Sequence, residues 1–171
     1  NLISASPIPF NENFATPKEM TLEDMEEIKA QFVQATKNAD EAGFDMIELQ
    51  AHHGFLLASF LSPLTNIRTD EFGGSIENRL KYPLAIFKAI REVFPTEKPI
   101  SVRISATDWA ENGISEQEVI TIATAFKNAG ADIINVSTGN TVAGQKPLTG
   151  RMWQTPFSDA VRNTVHIPTI T

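Results

Sequence analysis

The sequence has no cysteine, one tyrosine, two tryptophans and fewer basic than acidic side chains. Without cysteine, disulfides, thiolate metal sites and cysteine nucleophiles are excluded, and a reducing compartment, the cytoplasm, is the expected location. The 14 Lys and Arg stand against 21 Asp and Glu, for a formal net charge of -7, and they form no cluster. Nothing here neutralises a phosphate backbone or an anionic lipid surface, so neither nucleic acid nor a membrane is expected as a partner. No window is long and apolar enough to span a bilayer, and no signal-peptide pattern opens the chain. What is present is 171 residues, 42% hydrophobic and 20% charged, which suffices for one core. The chain opens on Asn1 rather than Met and stops at Ile170-Thr171 within what reads as a strand, so it is read as a piece of a longer protein.

Helix and strand signals alternate along the chain. Thr21, with Asp24 three residues on, predicts a capping box, and Met25, Ile28, Phe32, Ala35 and Ala39 trace one helical face. Gly43 is the expected left-handed terminator, before a buried strand over 44–49. After a long polar loop, Ser75 opens a second helix carrying Leu80, Leu84, Phe87 and Ile90, in which Pro83 predicts a break or kink. A strand over 100–105 follows, then a third helix with a Ser115/Glu118 capping box, inward Val119, Ile122, Ala123 and Phe126, and an end at Gly130. A strand over 133–136, a short helix with Thr155 as N-cap and Pro156 at its first position, and a strand over 167–170 complete the pattern. The pattern Ala-Gly-x-Asp-x-Ile occurs at Ala42 and again at Ala129, each time at a helix-to-strand junction. Repeated βα units of this kind build either an open α/β sheet or part of a (β/α)₈ barrel, whose roughly 250 residues exceed this chain.

In both architectures chemistry sits at the carboxyl ends of the strands. The first strand runs into Gln50-Ala51-His52-His53-Gly54-Phe55. A neutral imidazole and a primary amide each donate a hydrogen bond to a substrate oxygen, which polarises a carbonyl without a metal. No carboxylate or further His lies at ligand spacing on that loop, so a metal site is not expected. Arg103 sits between Val102 and Ile104 in an otherwise buried strand and must meet an accepting partner. That partner is either Glu48 on the preceding strand or an electron-rich ligand ring or phosphate. Trp109 and Trp153 either line an aromatic acyl pocket or pack within the fold.

The run Phe60-Leu61-Ser62-Pro63-Leu64-Thr65-Asn66-Ile67-Arg68-Thr69-Asp70-Glu71-Phe72-Gly73-Gly74-Ser75-Ile76-Glu77-Asn78-Arg79 resembles the signature of the old yellow enzyme family, the FMN-dependent NAD(P)H:flavin oxidoreductases and ene-reductases. The likeness extends through Arg103 and through Val136-Ser137-Thr138-Gly139. More narrowly, Leu2-Ile3-Ser4-Ala5-Ser6-Pro7, Arg103-Ile104-Ser105-Ala106-Thr107-Asp108-Trp109 and Gly150-Arg151-Met152-Trp153-Gln154-Thr155-Pro156-Phe157 are similar to the reductase half of salicylyl-CoA 5-hydroxylase and 2-aminobenzoyl-CoA monooxygenase/reductase proteins.

The resemblance implies that residues 1–171 are a single segment of an FMN-binding TIM barrel, a partial (β/α)₈ barrel holding the middle βα units and lacking the first and last strands. It implies FMN as cofactor, NADH or NADPH as reductant, and a small-molecule acceptor, enone-like or a CoA thioester, that receives hydride. Gln50 and His53 match the pair that holds the acceptor oxygen, and Arg103 matches the cation beside the flavin. Two residues depart from the family pattern: Gln50 replaces a usual His, and Phe55 replaces a usual Tyr that delivers a proton. The polar residues of the signature loop are expected mainly to hold one another and the loop backbone. Expressed alone, the segment is expected to bind FMN poorly and to self-associate, and the parent is open to homo-oligomerisation. The competing readings are a non-catalytic or truncated barrel module without flavin, and a flavin-free barrel lyase, against which the lack of a strand-end Lys counts.

Overall fold

The computed structural model describes residues 2–171. Its main sheet has four parallel strands in the order β3-β4-β5-β6: β3 (Ile47–Ala51), β4 (Ile100–Ser105), β5 (Ile133–Ser137) and β6 (Thr169–Ile170). Ahead of it a short parallel pair joins β1 (Ile3–Ser4) to β2 (Lys18–Glu19). The helices are α1 (Leu22–Glu41), α2 (Leu56–Leu61), α3 (Ile76–Val93), α4 (Glu116–Ala129) and α5 (Thr155–Val165). The strands follow one another in sequence order, with α3, α4 and α5 as crossovers and no reversal. A doubly wound sheet reverses direction at its switch point, so this sheet winds one way only.

The register separates two faces. Leu49, Val102 and Ile134 are in register, as are Ala51, Ile104 and Val136, and all six are buried in the apolar core under the helices. Alternate residues point to the opposite face. There Glu48 aligns with Ser101, Gln50 with Arg103 and Asn135, and Ser105 with Ser137. That face is mostly polar, with Ile133 beside Ser101 and Ile170 beside Asn135 as its apolar members.

Local signals account for most helix starts. The Thr21/Asp24 and Ser115/Glu118 boxes both close, and Ser75 accepts from the Asn78 N–H. Gly43 and Gly130 take the left-handed backbone expected at helix ends, with φ of 82° and 105°. The expected break at Pro83 does not occur, and α3 is assigned as one helix from Ile76 to Val93. Interior proline costs about 3 kcal/mol. Burying Ile86, Phe87 and Ile90 beyond it returns about 1.5–3 kcal/mol each, so packing wins. Thr155 is not the N-cap of α5: Gln154 is, and Pro156 lies within the first turn. The strand expected over 44–49 begins later, at Ile47, and Phe44 and Met46 stand exposed. Within the long polar loop lies α2, whose residues from Leu57 to Leu61 are all buried.

The signature loop is a structural clamp. Arg68, 9% exposed, donates to the carbonyls of Ala5 and Met20 and to Asp70, tying the loop to the β1–β2 pair. Arg79 reaches the Leu61 and Gly74 carbonyls and pairs with Glu118 on α4. Gly73 is packed so closely that a Cβ there would lie 2.0 Å from the Arg68 carbonyl oxygen. The expected structural role of this loop is what the contacts show. The lone tyrosine is also spent on structure: buried Tyr82 donates to the Met25 carbonyl, and burial raises the phenol's pKa.

Candidate active site

At the end of β3 the chain turns sharply, with His53 at φ 54° and Gly54 at φ 69°. A side chain at Gly54 would put its Cβ 3.0 Å from the Asn140 carbonyl oxygen, so glycine permits this close approach to the loop after β5. Three strand ends then meet at His53. Its backbone N–H donates to Ser105 Oγ at 2.9 Å, Ser105 Oγ donates in turn to the Gly139 carbonyl at 3.3 Å, and the ring Nε2 lies 2.7 Å from Ser137 Oγ. Ser137 and Ser105 were visible in the sequence only as small strand-end residues. Their role depends on the register that aligns them.

His52 is 3% exposed, its ring centroid 4.0 Å from that of His53 and 5.9 Å from that of Phe55. Burial, helped by the nearby His53 and Arg103, pushes its pKa down to about 4. The His53 pKa is lowered as well, by burial first and by Arg103 second, against a contact with the Thr138 backbone that raises it. Both rings are thus held neutral at pH 7, the state in which one nitrogen donates and the other accepts. The Ser137 hydroxyl at Nε2 both donates and accepts, so it holds the ring in either neutral tautomer.

Arg103 does not meet Glu48. That carboxylate accepts from Ser101 Oγ at 2.8 Å and Asn135 Nδ2 at 3.0 Å, one layer below. The register explains the correction, because Glu48 stands opposite Ser101 while Arg103 stands opposite Gln50. Among the described residues no carboxylate lies within ion-pair distance of Arg103, and its buried Nε has no hydrogen-bond partner. His52 Nδ1 and Thr141 Oγ1 are likewise buried and unpartnered. An uncompensated guanidinium on a mostly polar sheet face, with the unpartnered His52 near it, fits an electron-rich planar ligand. Exposed Gln50 stands beside Arg103 on the same face. Trp109 and Trp153 are not a free pocket wall: they stack on each other at 5.9 Å, and Phe157 meets Trp109 edge-on at 5.7 Å. Among the described residues no group of three or more acidic, His or Cys side chains is arranged for a metal, and no helix is long and apolar enough to cross a membrane.

Residues 4–171 match the NADH:flavin oxidoreductase / NADH oxidase family. The chain belongs to this family. It is 40% identical over 169 residues to an NADPH dehydrogenase of Clostridium acetobutylicum, covering 98% of this chain and 49% of that protein. It is 43% identical over 168 residues to an NADPH dehydrogenase of Listeria monocytogenes serotype 4a, again covering 98% of this chain and 49% of the relative. The chain therefore spans about half the length of the curated relatives it matches. A solved 2-naphthoyl-CoA reductase in complex with 2-naphthoyl-CoA superposes with a TM-score of 0.87 at 27% identity, over 98% of this chain and 26% of that one. Morphinone reductase superposes with a TM-score of 0.78 at 24% identity, over 98% of this chain and 48% of that one, a likeness of fold. The resemblance drawn from the signature loop is borne out at the level of the family.

Proposed function

We propose that this chain is the middle of a (β/α)₈ barrel, a single segment lacking the first and last strands. In the whole protein it serves an FMN-dependent NAD(P)H oxidoreductase, with an enone-like or CoA-thioester acceptor. The observation that carries this reading is Arg103, a cation on the polar face with no acidic partner among the described residues. The sequence-ordered parallel sheet supports the barrel, since eight such units close with the helices as an outer ring. The names of the relatives favour NADPH as reductant. The likeness to 2-naphthoyl-CoA reductase, together with the narrower sequence resemblance, favours an aromatic acyl-CoA within the acceptor class.

When bound, FMN supplies two-electron hydride chemistry between nicotinamide and acceptor. The chain's own residues do the rest. Arg103 holds a fixed positive charge at the sheet face, where negative charge on a bound ring is stabilised. Gln50 and His53 donate hydrogen bonds to the acceptor oxygen, drawing electron density away from the double bond. Ser137 and Ser105 hold His53 in place, one at the ring and one at the backbone. Phe55, 54% exposed, has no exchangeable proton, so the proton that completes reduction comes from water or from a hydroxyl elsewhere. In the full-length protein, Arg103→Ala is expected to weaken FMN retention, whereas His53→Ala leaves flavin reduction by NADPH in place and slows acceptor turnover. Loss of both half-reactions in His53→Ala alone contradicts the assigned roles.

A further inference from the structure

A cavity of about 530 Å³ opens beside His53, within the roughly 300–1,000 Å³ range of small-molecule sites. Its lining includes the strap between β1 and β2, with Ile8, Phe10 and Phe14, together with Phe55 and Val142. Phe10 and Phe14 pack edge to face at 5.5 Å, yet remain 42% and 58% exposed. The base of the strap is firmly held. Ala5 N–H donates to Ser59 Oγ at 3.1 Å, Ile67 N–H to Ser6 Oγ at 3.0 Å, and Arg68 Nη1 to the Ala5 and Met20 carbonyls. An anchored strap thus presents two exposed aromatic rings to a cavity that a third, Phe55, also lines. The polar lining on that side includes His53 and Thr141, and the Thr141 hydroxyl, on a residue 3% exposed, has no partner.

We propose that the strap phenylalanines Phe10 and Phe14, with Phe55, determine specificity by taking the aromatic ring of a conjugated carbonyl acceptor, with the carbonyl oxygen at His53 and Thr141 as an added polar contact. The proposal rests on His53 as the acceptor anchor and adds what lies beyond the reacting atoms. Continuity of the cavity with His53 ties the two together, and three aromatic faces favour a flat apolar ring over an aliphatic or charged tail. A Tyr at position 55 would set a hydroxyl into this wall, so Phe55 keeps it apolar.

The test uses two ketones that share one enone, 4-phenyl-3-buten-2-one and 3-buten-2-one, with the full-length flavin-loaded protein. Dissociation constants come from calorimetry, KM and kcat from NADPH consumption. The phenyl compound is expected to bind at least about tenfold more tightly, and the Phe10→Ala/Phe14→Ala double variant to reduce that preference to below about threefold. Phe44→Ala, which removes another exposed phenylalanine away from the cavity, is expected to leave the preference unchanged. Equal affinity for the two ketones in the unmodified protein, or a preference that the double variant does not reduce, overturns the proposal. Failure of the oxidoreductase reading registers separately, as flavin that NADPH does not bleach, while the calorimetric preference still decides the pocket.

Discussion

Replacing Arg103 by Met separates a residue kept for a ligand from one kept for the fold. Arg103 lies in β4 between fully buried Val102 and Ile104, its Nε is buried without a partner, and no carboxylate among the described residues neutralises it. Its charge also disfavours protonation of both His52 and His53. Exchanging an uncompensated, partly buried charge for an apolar side chain of similar length is neutral to stabilising, here by about 1 kcal/mol, since the guanidinium retains some access to water. For a chain of this length that is an upward shift in Tm of roughly 2–4 °C. Arg79→Met is the contrast. Arg79 is 3% exposed, bonded to the Leu61 and Gly74 carbonyls and paired with Glu118, so its loss leaves carbonyls and a carboxylate unmatched. The expected cost is about 3–5 kcal/mol, a fall of roughly 10 °C. Thermal unfolding of the flavin-free protein by circular dichroism reads both variants. FMN titration of the full-length protein should then show Arg103→Met binding about tenfold or more weakly, the loss of one charge-assisted hydrogen bond. An Arg103→Met variant that loses as much stability as Arg79→Met while binding FMN normally refutes the reasoning.

Three further outcomes follow from particular contacts. His52 has its pKa pushed from 6.5 to about 4, so between those values the unfolded chain takes up a proton that the folded chain refuses. Its contribution is complete above about pH 6.5 and is lost as pH falls towards 4, to a limit of about 3 kcal/mol, and His52→Phe should flatten that decline in urea midpoints compared at pH 7.5 and 4.5. Phe55→Tyr sets a phenol beside the cavity and should raise kcat for a simple enone about tenfold; a kcat no higher than that of the unmodified protein shows that proton delivery at this position is not limiting. Gly73→Ala drives a Cβ to within 2.0 Å of the Arg68 carbonyl oxygen and should cost about 3 kcal/mol, whereas Gly144→Ala, with nothing within 4 Å, should be nearly neutral by the same urea assay.

Features encoded locally were legible before the fold was known. Capping at Thr21, Ser75 and Ser115 needs only residues within one turn, and all three caps form. The sequence put Gln50 and His53 on the segment after the first strand and Arg103 within the next; the register sets Gln50 beside Arg103, and the His53 N–H donates to Ser105. What was not legible depended on distant partners. The helix α2 is six residues long and buried on all sides, so it carries no period. The β1–β2 pair has two residues per strand and is held by Arg68 of the signature loop and Ser59 of α2. The choice between Glu48 and a ligand for Arg103 turned on a register that no single segment contains. Phe10 and Phe14 lie in a strap without periodicity, and only the fold brings them into one cavity with Phe55.

The proposed role of this sheet face, to serve a flavin that nicotinamide reduces, has a direct spectroscopic signature. An absorption spectrum of the purified full-length protein, taken before and after anaerobic addition of NADPH, tests it most directly. The oxidised-flavin band at about 450 nm is expected, bleached by NADPH, with the colour weakened or lost in Arg103→Met. A colourless protein that added FMN does not reconstitute, or bound flavin that neither NADPH nor NADH bleaches, would contradict it.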